Sequence, residues 1–463
     1  ELAFLDGDYQ KAQSHLDGLE DGQVGKSVGR LRRLIAGTMA ATRGFASKRS
    51  AKGHFEIFYQ PGKDEVIVDI AADALDKAYE VFGRDLGVKP KGPIRVELLT
   101  KPADLAKVST LTEKDIRTTG TIALCKYNKL MAVTPRATLF GYAWLDTLAH
   151  EYVHYLVSTA TRDRVPVWLH EGLARFQQNR WRDPKLGKLS GTDEYLLASA
   201  LKSGDLISFD AMHPSMAKLP SQQAAALAYA EVYTLVRYVH GKAGYKGIRQ
   251  ALNLIRTGAD SRAALTQVVG SGRWRKVEGG WKQHLRASKL SMDPGLAGRA
   301  RHGRIHFDDG NKGEDNVGTK ELSNAKAKKY ARLGGMLRAR GMLEAAAVEY
   351  EKALAITGKS NLLVAAKLSR TYIGLRKYQR AIELAEPLLA ADDNDAAPAT
   401  TLGIAYHKSG EPKKAARAFE VALRINPFDP SVRCGLADSY AQVGAKSLEK
   451  REREACRRLS ASR

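Results

Sequence analysis

The sequence predicts a mixed α+β domain followed by an all-α region of helical repeats. Two observations support this division. Between residues 51 and 295, short alternating segments typical of strands are interspersed with amphipathic segments typical of helices. Beyond residue 327, small residues recur with a period of about thirty-four, as in stacked helix pairs. A length of 463 residues also exceeds one ordinary core, so two or three domains are expected.

The composition is that of a globular protein. Hydrophobic residues make up 44% of the chain, the mean hydropathy is −0.35, and no run of eighteen apolar residues predicts a membrane span. The net charge of +23 would attract anionic surfaces. However, Lys and Arg are spread through every region and no aromatic-plus-basic motif stands out. We therefore predict a solvated basic surface, open to anionic contacts, and no specific nucleic-acid partner.

The elements follow in order along the chain. Helices are predicted in the first fifty residues, with a turn at Gly7-Asp8 and a helix over 28–39. Strands are predicted over 54–60, 94–99, 120–124 and 129–134, a helix over 70–82, and mainly helices over 185–295. The Gly-, Asp- and Asn-rich stretch 302–319 predicts a linker. The predicted domains are an N-terminal helical segment (1–50), the α+β domain (51–295), a linker (296–326) and the repeats (327–463).

Small and aromatic residues recur at equivalent positions in the C-terminal region. They are Gly334, Ser369 and Gly403, then Ala346, Ala381 and Ala415, then Tyr350, Ala385 and Phe419. Small residues allow the helices of a pair to cross closely, and the aromatic fills the gap to the next pair. The region resembles the tetratricopeptide family, which implies a stacked solenoid with a concave partner-binding groove. A partial unit over 430–444 and a helix over 447–459 are predicted to cap it.

The motif H-E-x-x-H occupies residues 150–154 within LDTLAHEYVHYLVST, a segment with helical periodicity. His150 and His154 are four residues apart, so both imidazoles lie on one helical face and can bind one Zn²⁺ ion. Glu151 is rotated off the metal but within reach of a water bound there. An open fourth position would let the metal activate that water. Glu151 would then act as general base.

A third ligand is expected on the next helix, predicted over 167–177. The sequence here resembles the gluzincin metallopeptidases, the clan of thermolysin and the zinc aminopeptidases, which carry H-E-x-x-H followed by W-x-x-E-G-x-A. Trp168, Glu171, Gly172 and Ala174 match the second motif. The resemblance implies a thermolysin-like α+β fold and Glu171 as the third zinc ligand. His170, which stands beside it in the sequence, is the alternative third ligand.

The resemblance also implies a tyrosine that hydrogen-bonds the oxyanion, from a helix beyond the zinc site. It places this role on Tyr229, with Tyr233 as the alternative. Both tyrosines could instead be core residues without a role in the site. Either strand, 120–124 or 129–134, could be the edge that pairs with an extended peptide. The aminopeptidase motif G-x-M-E-N is absent, so endopeptidase and aminopeptidase activity stay open.

The predicted function is zinc-dependent peptide hydrolysis, with the repeats recruiting a substrate or a protein partner. The alternatives are a non-catalytic repeat adaptor with a relic peptidase domain, and a hydrolase acting on an anionic wall polymer. The resemblance implies a bacterial periplasmic, cell-envelope or secreted protein. The chain begins at Glu1 without Met, so we expect that an N-terminal piece is missing, which fits a removed signal without requiring one. Cys125, Cys434 and Cys456 have no metal spacing, and we expect separate buried thiols rather than a Cys434–Cys456 pair.

Overall fold

The structure is a computed structural model that describes residues 1–18, 25–183, 189–213, 216, 219–292, 305, 307, 322, 324–358 and 361–461. Its contacts divide the chain into two compact units. The sheet unit comprises residues 1–137, 145–188 and 200–289, and the repeat unit comprises 138–144, 189–199 and 290–463. The predicted linker lies almost entirely outside the described residues, and the predicted domain boundaries stay a prediction.

The described residues form one five-stranded sheet. Its strands are β1 (Ala46–Arg49), β2 (Phe55–Tyr59), β3 (Ile94–Leu99), β4 (Ala123–Lys126) and β5 (Lys129–Val133), in the order β1-β2-β3-β5-β4. The pairs β2–β3 and β3–β5 are parallel, whereas β1 and β4 are antiparallel edge strands. Of the two strands that the sequence offered as a possible peptide-binding edge, β4 is the one at an edge of the sheet, because β5 has a neighbouring strand on each side.

Twelve helices lie before residue 290 in the described part of the chain. They are α1 (Leu2–Leu5), α2 (Tyr9–Asp17), α3 (Lys26–Ala41), α4 (Glu65–Leu86), α5 (Pro102–Lys107), α6 (Glu113–Thr119), α7 (Trp144–Thr161), α8 (Val167–Gln177), α9 (Gly191–Ser203), α10 (Gln222–Arg256), α11 (Ser261–Val269) and α12 (Trp274–Ala287). Helix α10 is interrupted at Gly244, whose φ of 61° and ψ of −172° are not helical. The mixed α+β class predicted for this region is confirmed.

The N-terminal helices pack through an apolar cluster and a buried polar network. Phe4, Tyr9, Leu16 and Ile35 belong to the cluster. The Tyr9 hydroxyl donates to the carboxylate of Glu97 on β3. Lys129 Nζ on β5 donates to Glu97 Oε2 at 2.9 Å and to the Tyr9 oxygen at 2.7 Å. Each buried charge therefore has an opposite charge and a hydrogen bond, as burial requires.

The repeat unit consists of successive helix pairs. Its helices are α13 (Ala325–Ala339), α14 (Leu343–Thr357), α15 (Leu362–Gly374), α16 (Tyr378–Ala391), α17 (Ala396–Lys408), α18 (Pro412–Leu423), α19 (Pro430–Val443) and α20 (Lys446–Ser460). A Cβ at Gly334 would lie 2.9 Å from the Tyr350 ring, and one at Gly403 would lie 2.5 Å from the Phe419 ring. The predicted tetratricopeptide-like helix pairs are confirmed. At Gly334 and Gly403 the absence of a side chain leaves room for the aromatic ring of the paired helix.

Residues 138–144 also belong to the repeat unit, although they are distant from it in sequence. The Tyr142 N–H donates to the Ile425 carbonyl at 3.0 Å, and Trp144 Nε1–H donates to the Leu423 carbonyl at 3.2 Å. Gly141 has a φ of +74°, and a Cβ there would lie 2.1 Å from the Ile425 carbonyl oxygen. Only glycine fits this turn, both in backbone conformation and in space.

The prediction of separate thiols is wrong for two of the three cysteines. Cys434 on α19 and Cys456 on α20 form a disulfide. It lies next to an ion pair between Arg433 and Glu452, both fully buried, whose Nη1 and Oε2 atoms are 2.6 Å apart. Sequence spacing missed the pair because the two cysteines are 22 residues apart on different helices. Cys125 is a free thiol.

Reducing this disulfide is expected to lower the free energy of unfolding of the last helix pair by about 3 kcal/mol, because reduction frees the closed loop in the unfolded chain. Urea titration followed by circular dichroism, with and without dithiothreitol, measures the change. The matched control is Cys125→Ser, which should keep the full response to reductant, whereas Cys434→Ser should abolish it. Three free thiols in the native, non-reduced protein would contradict the pairing.

None of the described helices is both long enough and apolar enough to cross a membrane.

Candidate metal centre

Two consecutive helices carry the predicted site residues. Helix α7 carries His150, Glu151 and His154, and helix α8 carries His170 and Glu171. The chain reverses between them through Arg162 and Asp163, which have φ values of 56° and 57°. Gly172 follows Glu171 because α10 passes close by: a Cβ there would lie 2.8 Å from the Val232 carbonyl oxygen. In the second motif, Glu171 supplies a carboxylate to the site, and Gly172 lets helix α8 pass close to helix α10.

The three predicted metal ligands converge on one point. The Nε2 atoms of His150 and His154 lie 3.1 Å apart, and Glu171 Oε2 lies 3.1 Å from the first and 3.4 Å from the second. Ligand atoms bound tetrahedrally to one zinc at 2.0–2.1 Å are about 3.3–3.4 Å from one another. Two imidazoles and a carboxylate are also a donor set that zinc prefers. The separations and the chemistry of these residues fit one zinc ion.

The charges of these groups depend on one another. Burial favours the neutral form of Glu171, but His154 and His150 outweigh it and hold the pKa of this carboxyl far below its usual range. Burial lowers the pKa of His150, whereas at His154 the contact with Glu171 overcomes burial and raises the pKa. Glu171 is therefore an ionised carboxylate beside a neutral imidazole of His150, which is the form that binds a metal.

A second set of residues holds the two histidines in place. His150 Nδ1 lies 3.1 Å from Gln178 Oε1, and His154 Nδ1 lies 2.7 Å from His170 Nδ1. His170 Nε2 faces Ser158 Oγ at 3.4 Å. Burial lowers the pKa of His170 to about 3, so its neutral ring can accept the proton on His154 Nδ1. This arrangement directs the Nε2 atoms of both histidines toward Glu171.

Glu151 lies beside the ligand group but is not one of the three closest atoms. One of its oxygens is within 4.8 Å of a ring nitrogen of His150 and of His154. Burial raises the pKa of Glu151 to about 7, against the influence of His154 and of a hydrogen bond from the backbone of Cys125. Cys125 lies on the edge strand β4. The carboxylate of Glu151 therefore lies close both to the ligand group and to the edge strand β4.

The structure separates the two candidate tyrosines on α10. The ring centroids of Tyr229 and His150 lie 6.4 Å apart, and the Cζ atom of Arg175 lies 5.9 Å from the Tyr229 ring centroid. Burial raises the pKa of Tyr229, as do the charges of Glu171 and Glu151, so its hydroxyl stays protonated. Tyr233 is 5% exposed and packs against Phe176. Tyr229 borders the site, whereas Tyr233 is a core residue.

Sequence reasoning did not identify three groups around the site. Gln178 follows Glu171 by seven residues, which is two helical turns, and Ser158 follows His154 by four. Spacings of four and seven residues predict that a side chain lies on the same helical face as the candidate ligand. The backbone of Cys125 has no such signal, because its approach to Glu151 depends on where the edge strand lies.

The region that contains this site matches a known family model. Residues 71–287 match the family model of the peptidase MA superfamily. No curated protein matches the chain. Leukotriene A4 hydrolase from Saccharomyces cerevisiae is 10% identical, with a TM-score of 0.34 over 90% of this chain and 67% of that one. MamA (AMB-1) is 23% identical, with a TM-score of 0.27 over 32% of this chain and 81% of that one. At such low TM-scores, neither similarity bears on activity. Both motifs lie within residues 71–287, the region that matches this family model.

Proposed function

We propose that this protein is a zinc-dependent peptidase in which His150, His154 and Glu171 hold the metal. One observation carries the proposal: the ligand atoms of these residues lie 3.1–3.4 Å from one another. A zinc ion bound there would supply a Lewis acid and would lower the pKa of a water molecule. The intact ligand set argues against a relic domain, since decay would be expected to remove at least one ligand.

The remaining groups have distinct proposed roles. Glu151 would take a proton from the attacking water and hand it to the leaving amine, since its buried carboxylate lies beside the ligand group. Gln178 and His170 would orient the two histidines through their Nδ1 atoms. The Tyr229 hydroxyl would donate a hydrogen bond to the developing oxyanion.

The edge strand β4 is the proposed docking site for the backbone of an extended peptide. Its pairing with β5 leaves its other side without a strand neighbour in the described sheet, and peptides bind such edges by adding a strand. The backbone of Cys125 on β4 already reaches Glu151, so a peptide paired there would pass close to the proposed base. Because the sequence has no G-x-M-E-N motif, nothing favours recognition of a free N-terminus over cleavage within a chain.

We further propose that the protein works in an oxidising compartment such as a bacterial periplasm, cell envelope or the extracellular space. The Cys434–Cys456 disulfide supports this location, because such bonds persist where thiols are not kept reduced. The repeats would recruit a substrate or a protein partner.

Metal analysis combined with peptide-library profiling tests the proposed activity. We expect one tightly bound zinc per chain and cleavage of a subset of library peptides, lost with a chelator and restored by added zinc. A zinc-free protein that takes up no zinc, or cleavage that is unaffected by the chelator, would overturn the proposal.

A further inference from the structure

Helix α8 carries a cation beside the candidate metal centre. Arg175 follows Glu171 by four residues and precedes Gln178 by three, so the three residues lie along one face of this helix. Glu171 and Gln178 both contact His150, at its Nε2 and its Nδ1 atom respectively. Arg175 therefore lies between two residues whose side chains reach the site.

The guanidinium of Arg175 is next to Tyr229. Its Cζ atom is 5.9 Å from the centroid of the Tyr229 ring, and that centroid is 6.4 Å from the centroid of His150. Burial is the main influence on the pKa values of these two groups, lowering that of His150 and raising that of Tyr229, and the charge of Arg175 lowers both. The field of Arg175 thus acts on a proposed metal ligand and on the proposed oxyanion donor.

The chemistry of Arg175 suits an anionic ligand from outside the chain. Arg175 and Tyr229 are both partly exposed, so a ligand can reach them. A guanidinium has five N–H donors, so a contact within the protein still leaves donors for a ligand. Two of these donors are parallel and match the two oxygens of a carboxylate. An arginine in this position therefore favours a carboxylate over a neutral group.

We propose that Arg175, beside Tyr229, binds a carboxylate of the peptide substrate; this names the substrate class of the peptidase proposed above and rests on that function. Tyr229 would contact the carbonyl group under attack. Because an extended chain advances at most ~3.6 Å per residue, a guanidinium this close to Tyr229 reaches a carboxylate within about two residues of the scissile bond. The carboxylate could belong to an Asp or Glu side chain or to the C-terminus of the peptide.

Peptide binding to a hydrolysis-deficient variant tests the subsite. The full chain carrying Glu151→Gln is loaded with zinc and offered random short peptides, either as C-terminal free acids or as C-terminal amides, and the bound peptides are sequenced by mass spectrometry. Enrichment of Asp or Glu among the amides would identify the side-chain source, and preference for the free acids would identify the C-terminus. We expect the carboxylate to strengthen binding about 10–100-fold over the matched uncharged amide, because hydrogen bonds between charged groups are the strong ones.

Substitutions at Arg175 in this background locate the carboxylate. Arg175→Gln should remove the preference, Arg175→Lys should keep part of it, because the charge stays while the paired donors are lost, and Arg175→Glu should reverse it toward peptides with Lys or Arg. The matched control is Arg275→Gln, at an exposed arginine on α12, which should leave the preference unchanged. Circular dichroism checks that each variant folds. An arginine that only packed on Tyr229 would, when replaced, weaken all peptides alike without reversing the preference.

The subsite and the peptidase function can fail separately. No peptide binding, binding without preference for a carboxylate, or a preference that survives Arg175→Gln would overturn the subsite. Enriched peptides that the unsubstituted, zinc-loaded protein does not cleave would contradict the peptidase function while leaving the carboxylate site in place. If both proposals hold, that protein cuts the enriched peptides within about two residues of the carboxylate, and cuts farther away would overturn the subsite.

Discussion

Replacing Glu151 by Gln is expected to lower kcat by about 10²–10⁴-fold while zinc stays bound at one ion per chain. The amide of Gln has nearly the shape of the carboxylate but cannot accept a proton from water. Glu151 is not among the three closest ligand atoms, so its loss should leave the ion in place. Turnover of the best library peptide and zinc content by mass spectrometry measure the two effects separately.

The matched control for this substitution is Glu113→Gln. Glu113 is an exposed carboxylate on α6 that forms an ion pair with Arg117 one helical turn away, and an exposed pair of this kind contributes little to stability. This variant should keep both kcat and zinc. Glu151→Gln with unchanged turnover would show that Glu151 is not the base, and its loss of zinc would show that it acts as a ligand.

Replacing Glu171 by Ala is expected to remove the metal, so that dialysed protein contains almost no zinc. Glu171 supplies the only carboxylate of the proposed ligand set, and its Oε2 lies within 3.1–3.4 Å of both imidazole Nε2 atoms. His170→Ala should have a smaller effect, a reduction of zinc affinity of about 10–100-fold, because His170 orients His154 rather than binding the ion. Competition with a coloured zinc chelator measures both affinities.

The comparison between these variants distinguishes the two candidate third ligands. A larger loss of zinc in His170→Ala than in Glu171→Ala would mean that His170 is the ligand. The control is His213→Ala, which removes an exposed imidazole that is on neither α7 nor α8 and should leave zinc affinity unchanged. Circular dichroism on each variant separates loss of metal from loss of fold.

The elements that sequence patterns predicted well are those whose periodicity is strong and whose ends have clear signals. Strand β3 and helix α8 have the predicted bounds, 94–99 and 167–177. Helix α4 was predicted over 70–82 but extends to 65–86, where Gly87 ends it with a φ of 74°. Its first turn was missed because Asp64 provides no side-chain cap and instead binds Arg136 and Thr134.

The elements that were missed depend on contacts distant in sequence. Strand β1 reads Ala-Ser-Lys-Arg, which has no apolar alternation, and it is a strand because it pairs with β2. Strand β4 begins at Ala123 rather than 120, because Gly120 has a φ of 69° and ends α6. In the candidate site, the proposed ligands and the proposed base are apparent from two local motifs, whereas Gln178 and the backbone of Cys125 require the tertiary arrangement.

The pairing of residues 138–144 with the turn after α18 has a consequence for biosynthesis. Trp144, the first residue of α7, is separated by 279 residues from Leu423, whose carbonyl its indole binds. At a synthesis rate of about 5–20 residues per second, the ribosome needs roughly 15–55 seconds to make the intervening chain. During that interval residues 138–144 lack their native neighbours, so the repeat unit cannot complete its folding before the chain has been made as far as the turn after α18.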